Sequence, residues 1–216
     1  MSARDLTPEF WKEMAQRLPD RAVVLDLGAH HLEEAALLIP HLGRVKWHGF
    51  EPNPACWQLA VSSVSRLQKQ HDCSIELICA AVGQVQGTAT LYLSSKKNGE
   101  SWTPSSSTHK PKNALTFYPW MAFNRAMMVP TIALDDYCTM MKIGDVDLVK
   151  MDIQGAEIDA IMGGQKTFAR TKYIVTEVVE GEEYEGQVGL EGLMKALPGT
   201  WRILERFISD ALLEQI

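Results

Sequence analysis

The stretch Leu148–Glu157, LVKMDIQGAE, decides how this chain folds. A run that reads as a buried strand leads to Asp152, and the sequence then switches to Gln154, Gly155, Ala156 and Glu157, a turn that starts a helix. A carboxylate at the carboxyl end of a buried strand sits where open α/β sheets bind their ligands. The remaining sequence has to say which ligand that is.

Working outward, RAVVLDLG places a second buried strand over Ala22–Leu27, bounded by charge on one side and by Gly28 on the other. HHLEEAALLIPHLG follows as a helix with apolar positions Leu32, Ala35, Ala36 and Ile39, stopped near Pro40 and Gly43. RVKWHGFEP is a strand ending at Glu51, ACWQLAVSSVSRLQKQ a helix, and IELICAAVG a third strand. GTATLYLSS alternates in the β manner and is expected to pair beside ICAAVG. Order resumes with the strand MVPTIA, the helix LDDYCTMMK, the strand VDLVKMD, a helix opening at GAEIDAIMGG, the strand YIVTEVV, the helix GLEGLMKALPG and a closing strand WRILERFI. Strands alternating with helices across short connections predict parallel strands and right-handed crossovers. The expected fold is a single, mostly parallel, seven-stranded α/β sheet with helices on both faces, spanning residues 22–216 behind an N-terminal helical extension over residues 1–21. Within that domain, residues 95–127 form a polar, Pro-punctuated segment, and a loop of that length in a compact domain is ordinarily functional or disordered.

Bulk properties narrow the function. The chain has 216 residues, 46% hydrophobic and 22% charged, which suits one soluble domain with a full core. Its net charge of −6 argues against a nucleic-acid partner, which ordinarily requires a basic surplus. Cys56, Cys73, Cys79 and Cys138 show no zinc-type spacing and read as reduced thiols. With neither an apolar window long enough for a membrane span nor the apolar centre of a secretory signal, the expected location is the cytoplasm.

Three strands end in acids on the same side of the predicted sheet: Asp26, Glu51 and Asp152. Glu51 lies 25 residues after Asp26, where a carboxylate can accept hydrogen bonds from a ribose diol. Gly28 permits a tight turn close to a ligand. A dinucleotide such as NAD and the adenosine of S-adenosylmethionine both match this pattern. The dinucleotide wants GxGxxG for its pyrophosphate, whereas the chain has GAHHLE, with His30 where the second glycine should stand. A ligand without phosphates fits better.

VVLDLGAH, GFEPNP, AAVG, VPTIALDDY and above all LVKMDIQGAE, in this order across residues 22–179, resemble the FkbM-type methyltransferases. The resemblance implies a Rossmann-like methyltransferase fold, S-adenosylmethionine as methyl donor, and a small-molecule acceptor, typically a hydroxyl of a sugar or secondary metabolite. It places Asp26, Gly28 and Ala29 around the methionine end of the cofactor and Glu51 on the ribose, with Asn53 in the same motif. Cys79, Ala80 and Ala81 would lie beside adenine, and Asp152 at the amino group or reaction centre. The chain departs from the family at Leu32, where a second glycine is usual, and Leu32 is expected to crowd the cofactor turn.

Methyl transfer to an alcohol requires alignment, exclusion of water and removal of a proton. The candidate proton acceptors are Asp152, His30, His31 and, from the long segment, His109. Glu157 is expected to support its helix through the dipole. No metal site is assigned, although Asp152 with Glu177 is a conceivable pair for a divalent ion. The segment 95–127, with Trp102, Phe117, Tyr118 and Trp120, is the expected acceptor lid. Two other readings stand beside this one: a catalytically silent binding module on the same fold, and an NAD-dependent oxidoreductase, against which GAHHLE argues.

Overall fold

The computed structural model describes residues 6–179 and 181–216; the first five residues of the expected N-terminal helix lie outside this range. Along the chain run α1 (Pro8–Ala15), β1 (Ala22–Leu27), α2 (Glu33–Leu38), β2 (Val45–Phe50), α3 (Pro54–Gln70), β3 (Cys73–Ile78), β4 (Ala81–Val82) and β5 (Gly87–Lys96). They are followed by α4 (Ala114–Phe117), β6 (Met121–Ile132), α5 (Leu134–Met140), β7 (Val146–Met151), α6 (Glu157–Gly163), α7 (Gln165–Phe168), β8 (Thr171–Glu177), α8 (Leu190–Ala196), β9 (Trp201–Arg206) and β10 (Asp210–Gln215).

The main sheet has seven strands in the order β3-β2-β1-β7-β8-β10-β9. The first five are mutually parallel, and β10 is antiparallel to both of its neighbours. Residues alternate between two apolar layers, as parallel strands covered on both faces must. Val24 and Leu148 join Phe10, Trp11 and Met14 of α1, Ala35 and Leu38 of α2 and Ala60 of α3. Leu25, Leu27, Val149 and Met151 join the buried sides of α5, α6, α7 and α8. Helix α1 is therefore part of the core. It is capped by Thr7, whose hydroxyl accepts from Phe10 N at 3.3 Å.

Four expectations need correction. ICAAVG is not continuous: β3 ends at Ile78, and β4 leaves the main sheet to pair with β6. GTATLYLSS, as β5, pairs antiparallel with β6 and not with β3. The two form, with β4, a separate three-stranded sheet in the order β4-β6-β5, so the architecture holds a second small sheet beside the expected one. The irregular segment is accordingly shorter, covering residues 97–120 and interrupted by α4. The chain also closes on a hairpin, β9 with β10, where one final strand was expected.

Register brings the site together. Leu27 is level with Phe50 on β2 and with Met151 on β7, so the strands that carry Asp26, Glu51 and Asp152 stop at one height. The chain order reverses between β1 and β7, and this reversal opens the crevice in which such sheets bind ligands.

Candidate active site

A cavity of about 270 Å³ occupies that crevice, with Gly28, Phe50, Glu51, Ala81, Lys150 and Asp152 among its lining residues. Its floor is locked backbone. Gly28 N and Ala29 N both donate to Phe50 O, at 3.0 and 2.9 Å, and Asp152 N donates to Leu27 O at 3.0 Å. Gly28 has φ +84°, and a Cβ there would stand 2.0 Å from Asp152 O. The glycine is thus required by the neighbouring turn rather than by the approach of a ligand.

Glu51 is 6% exposed, and its carboxylate accepts from His30 N at 3.0 Å and from Asn53 N at 2.7 Å. Burial pushes its pKa up against these bonds. Both oxygens keep lone pairs for the cavity, in the arrangement a ribose diol needs. Asn53 is the N-cap of α3 and acts through its backbone; Ala29, Asn53, Cys79 and Ala80 do not line the cavity, whereas Ala81 does.

Asp26 is fully buried and has no surface in the cavity. Its Oδ2 accepts from Trp47 Nε1 at 3.2 Å, and Lys150 Nζ stands 3.7 Å from its Oδ1. Asp26 and Lys150 are paired across β1 and β7, so both side chains leave the sheet on the same face. Lys150 Nζ also donates to Gly28 O at 3.1 Å and lies 3.7 and 3.8 Å from Glu34 and Asp152. Burial opposes its charge, but Glu34, Asp26 and Asp152 together hold its pKa above the usual range. Asp26 is raised to about 7, chiefly by burial and in spite of Lys150. The sequence reading passed over Lys150, although a lysine inside an apolar strand, one residue from its end, is the signal that marks it.

The turn after β7 explains the opening motif. Gln154 Nε2 bridges Asp152 Oδ1 and Glu177 Oε2, each at 2.8 Å, while Gln154 Oε1 accepts from Tyr184 Oη at 3.1 Å. Gly155 has φ +95°, and a Cβ there would meet Tyr184 at 2.9 Å. Glu157 accepts from Ile153 N and Gly155 N at 3.3 Å, closing the turn directly beyond any dipole effect. Burial pushes Glu157 up to about 7.

Of the candidate proton acceptors, Asp152 lines the cavity, and its Oδ2 faces Lys150 at 3.8 Å. Both ring nitrogens of His30 are engaged, Nδ1 with Glu33 at 3.0 Å and Nε2 with Thr103 at 2.8 Å. Burial alone would lower His30, but hydrogen bonding to Cys56 and Glu33 outweighs it and raises the ring to about 10. The structure does not bring His109 to the cavity. Its Nδ1 is tied to Glu185 O at 2.7 Å and its Nε2 to Asp159 of α6 at 3.0 Å, so it is a strut between α6 and the loop at Glu185. Leu32 does not crowd the turn: its backbone takes the left-handed conformation, φ 65° and ψ 38°, that a glycine would supply, and its side chain is buried in the core.

The walls are apolar at Phe50, Ala81, Val82, Leu91 and Ile153, and acidic at Glu33, Glu34, Glu51 and Asp152. Such a lining repels a pyrophosphate and suits a cationic nucleoside.

Residues 26–207 match the methyltransferase FkbM domain. The chain belongs to the FkbM methyltransferase family. It is 31% identical over 177 residues to 2-O-methyltransferase NoeI of Sinorhizobium fredii, covering 82% of this chain and 71% of that protein. Among solved structures it resembles a provisionally named rRNA methylase from Clostridium thermocellum, with TM-score 0.56, 11% identity and coverage of 100% of this chain and 98% of the other. It also resembles a provisionally named O-methyltransferase from Klebsiella pneumoniae, with TM-score 0.55, 10% identity and coverage of 100% and 83%. These likenesses establish the Rossmann-like methyltransferase fold. The methyl donor is S-adenosylmethionine, and the buried, doubly anchored Glu51 facing an acidic, apolar-walled cavity fits its ribose and its positive charge.

Proposed function

We propose that this FkbM methyltransferase moves the methyl group of S-adenosylmethionine to a hydroxyl oxygen of a small carbohydrate or secondary metabolite. The observation that carries this reading is the cavity itself: a ribose-competent carboxylate and an acidic rim at the strand ends of a methyltransferase sheet. The related 2-O-methyltransferase NoeI is named for transfer to oxygen, which supports the same choice here. The net charge of −6 and the acidic mouth support a small acceptor over a nucleic acid.

In this reading Glu51 holds the ribose hydroxyls, and Ala81 and Val82 pack beside the base. Lys150 fixes Gly28 and Asp152 relative to each other. Asp152 takes the proton from the acceptor hydroxyl as its oxygen attacks, while Gln154 keeps that carboxylate aimed. The segment 97–120 supplies the acceptor face. Thr103, Pro104, Ser106 and Thr108 lie on the cavity. Phe117, Tyr118 and Trp120 are 51%, 38% and 41% exposed, and Trp120 meets Trp102 edge-on at 5.0 Å. Exposed rings beside hydroxyls suit the faces and edges of a sugar.

The test is a calorimetric titration with S-adenosylhomocysteine, followed by transfer of a labelled methyl group to hydroxylated oligosaccharides. Saturable heat with label recovered as a methyl ether supports the proposal. Heat without transfer to any hydroxylated acceptor supports the silent binding module instead, and label recovered on nitrogen refutes the oxygen assignment.

A further inference from the structure

The rim of the cavity carries a cluster that methyl transfer does not use. His30 and His31 lie in the turn between β1 and α2, and Cys56 lies in the first turn of α3. One donor atom from each can be chosen so that all three lie within 4.8 Å of one another. The two imidazoles are stacked, with centroids 3.8 Å apart and planes 27° apart. Glu33 Oε1 stands 3.0 Å from His30 Nδ1 and 3.4 Å from His31 Nδ1. One carboxylate therefore contacts the Nδ1 edge of both rings and leaves the two Nε2 atoms as the donors for an ion.

His31 Nε2 is buried with no hydrogen-bond partner, and Cys56 is 2% exposed. A buried ring nitrogen without a partner is rare in folded proteins and asks for an explanation. An ion bound there supplies one. A histidine whose Nδ1 is held by a carboxylate while its Nε2 ligates is the common outer-shell arrangement of protein zinc sites.

We propose that His30, His31 and Cys56 form a binding site for a zinc-class divalent ion, with Glu33 orienting the two imidazoles. Two imidazoles and a thiolate are the donor set of a borderline-soft ion, whereas magnesium and calcium require oxygens. On binding, the Cys56 S–H bond breaks and a sulfur–metal bond forms, the protonated His30 ring gives up its extra proton, and both protons pass to solvent, so that both rings enter as neutral imidazoles. The Thr103 hydroxyl, now 2.8 Å from His30 Nε2, gives up that nitrogen. The ion ties the β1–α2 turn to the start of α3, the two segments whose His30 and Asn53 N–H groups hold Glu51. Cys56 follows His31 by 25 residues, so only the fold assembles the set, and no spacing rule finds it.

The experiment uses the full chain, stripped with a chelator and titrated with Co²⁺ under absorbance, then with Zn²⁺. The expected result is one ion per chain, a thiolate-to-cobalt charge-transfer band, and its loss when Zn²⁺ displaces the cobalt. Cys56→Ser abolishes the band, His31→Ala weakens Zn²⁺ binding by about tenfold or more, and Cys79→Ser leaves both unchanged. The wild-type spectrum decides the matter even where Cys56→Ser does not fold. Absence of the band from the wild-type chain, or its persistence in a folded Cys56→Ser variant, overturns the site.

Discussion

Leu32 offers the sharpest test of how the cofactor turn is built. It is fully buried, and its φ of 65° lies in the region that non-glycine residues avoid. Replacing it with alanine removes the buried side chain and leaves a cavity, at a cost of about 3–5 kcal/mol, while the surviving Cβ keeps the left-handed strain. Glycine removes the same side chain but also relieves that strain, which is about 1–2 kcal/mol. Leu32→Gly is therefore expected to destabilise by about 1–4 kcal/mol and Leu32→Ala by more. This inverts the ordinary order around helices, where glycine is the weaker residue. In urea unfolding monitored by circular dichroism, Leu32→Gly should be the more stable variant by about 1–2 kcal/mol, or about 2–8 °C in Tm for a chain of this size. Affinity for S-adenosylhomocysteine should be nearly unchanged in both folded variants, because the side chain faces the core. An alanine variant more stable than the glycine one would falsify the strain argument, and a large rise in affinity for either would show that Leu32 does crowd the cofactor.

Glu51→Ala should weaken S-adenosylhomocysteine binding about 100-fold by calorimetry, since two hydrogen bonds to a charged group are lost at about 1.5 kcal/mol each; a loss of less than threefold removes it from the ribose site. Asp152→Asn should reduce turnover far more than it weakens cofactor binding, and equal losses in both would remove its role as proton acceptor. Lys150→Met leaves the fully buried Asp26 without its cation and should cost about 3–5 kcal/mol in chemical unfolding; a neutral result would mean Asp26 is already uncharged in the parent. Glu157 stands at about 7 in the folded chain against an ordinary 4.5. The folded state thus binds the proton more tightly, and the stability it contributes, full below pH 4.5, declines as pH rises toward 7 by about 3 kcal/mol. In Glu157→Gln, whose amide oxygen still accepts the turn's N–H groups, the profile of stability between pH 5 and 7 should be flatter than in the parent; an unaltered slope contradicts the assignment.

The parts legible in the sequence were those in which one strand carries its own signal. β1, β2 and β7 are short apolar runs ending in acids, and their ends fixed Glu51 and Asp152 on one crevice. Asp26 was legible as a position but not as a role: an acid one residue before the strand end leaves the sheet under a packed face, where it meets Lys150 and Trp47. β6 was half hidden because MAFNR mixes apolar and polar residues before the recognisable VPTI, and β10 because DALLEQ also suits a helix. Cys79 and Ala80 carry no turn signal, so the break between β3 and β4 did not show. The fate of His109 depended on Asp159, 50 residues away, a contact that no local pattern encodes.

The mutual fastening of Gly28 and Asp152 has a consequence for traffic through the cavity. With each turn hydrogen-bonded to a neighbouring strand and no room for a side chain between them, the floor has nothing to give. In the reading proposed above, entry of the donor and exit of its spent product fall to residues 97–120 on the other side of the cavity. That segment is linked to the turns beneath it by Thr103 to His30, Ser107 to Gln154 and Ser105 to Tyr184, and backbone bonds between Tyr92 and Ser107 and from residues 112–114 to Glu183 tie it to β5 and to the loop before α8.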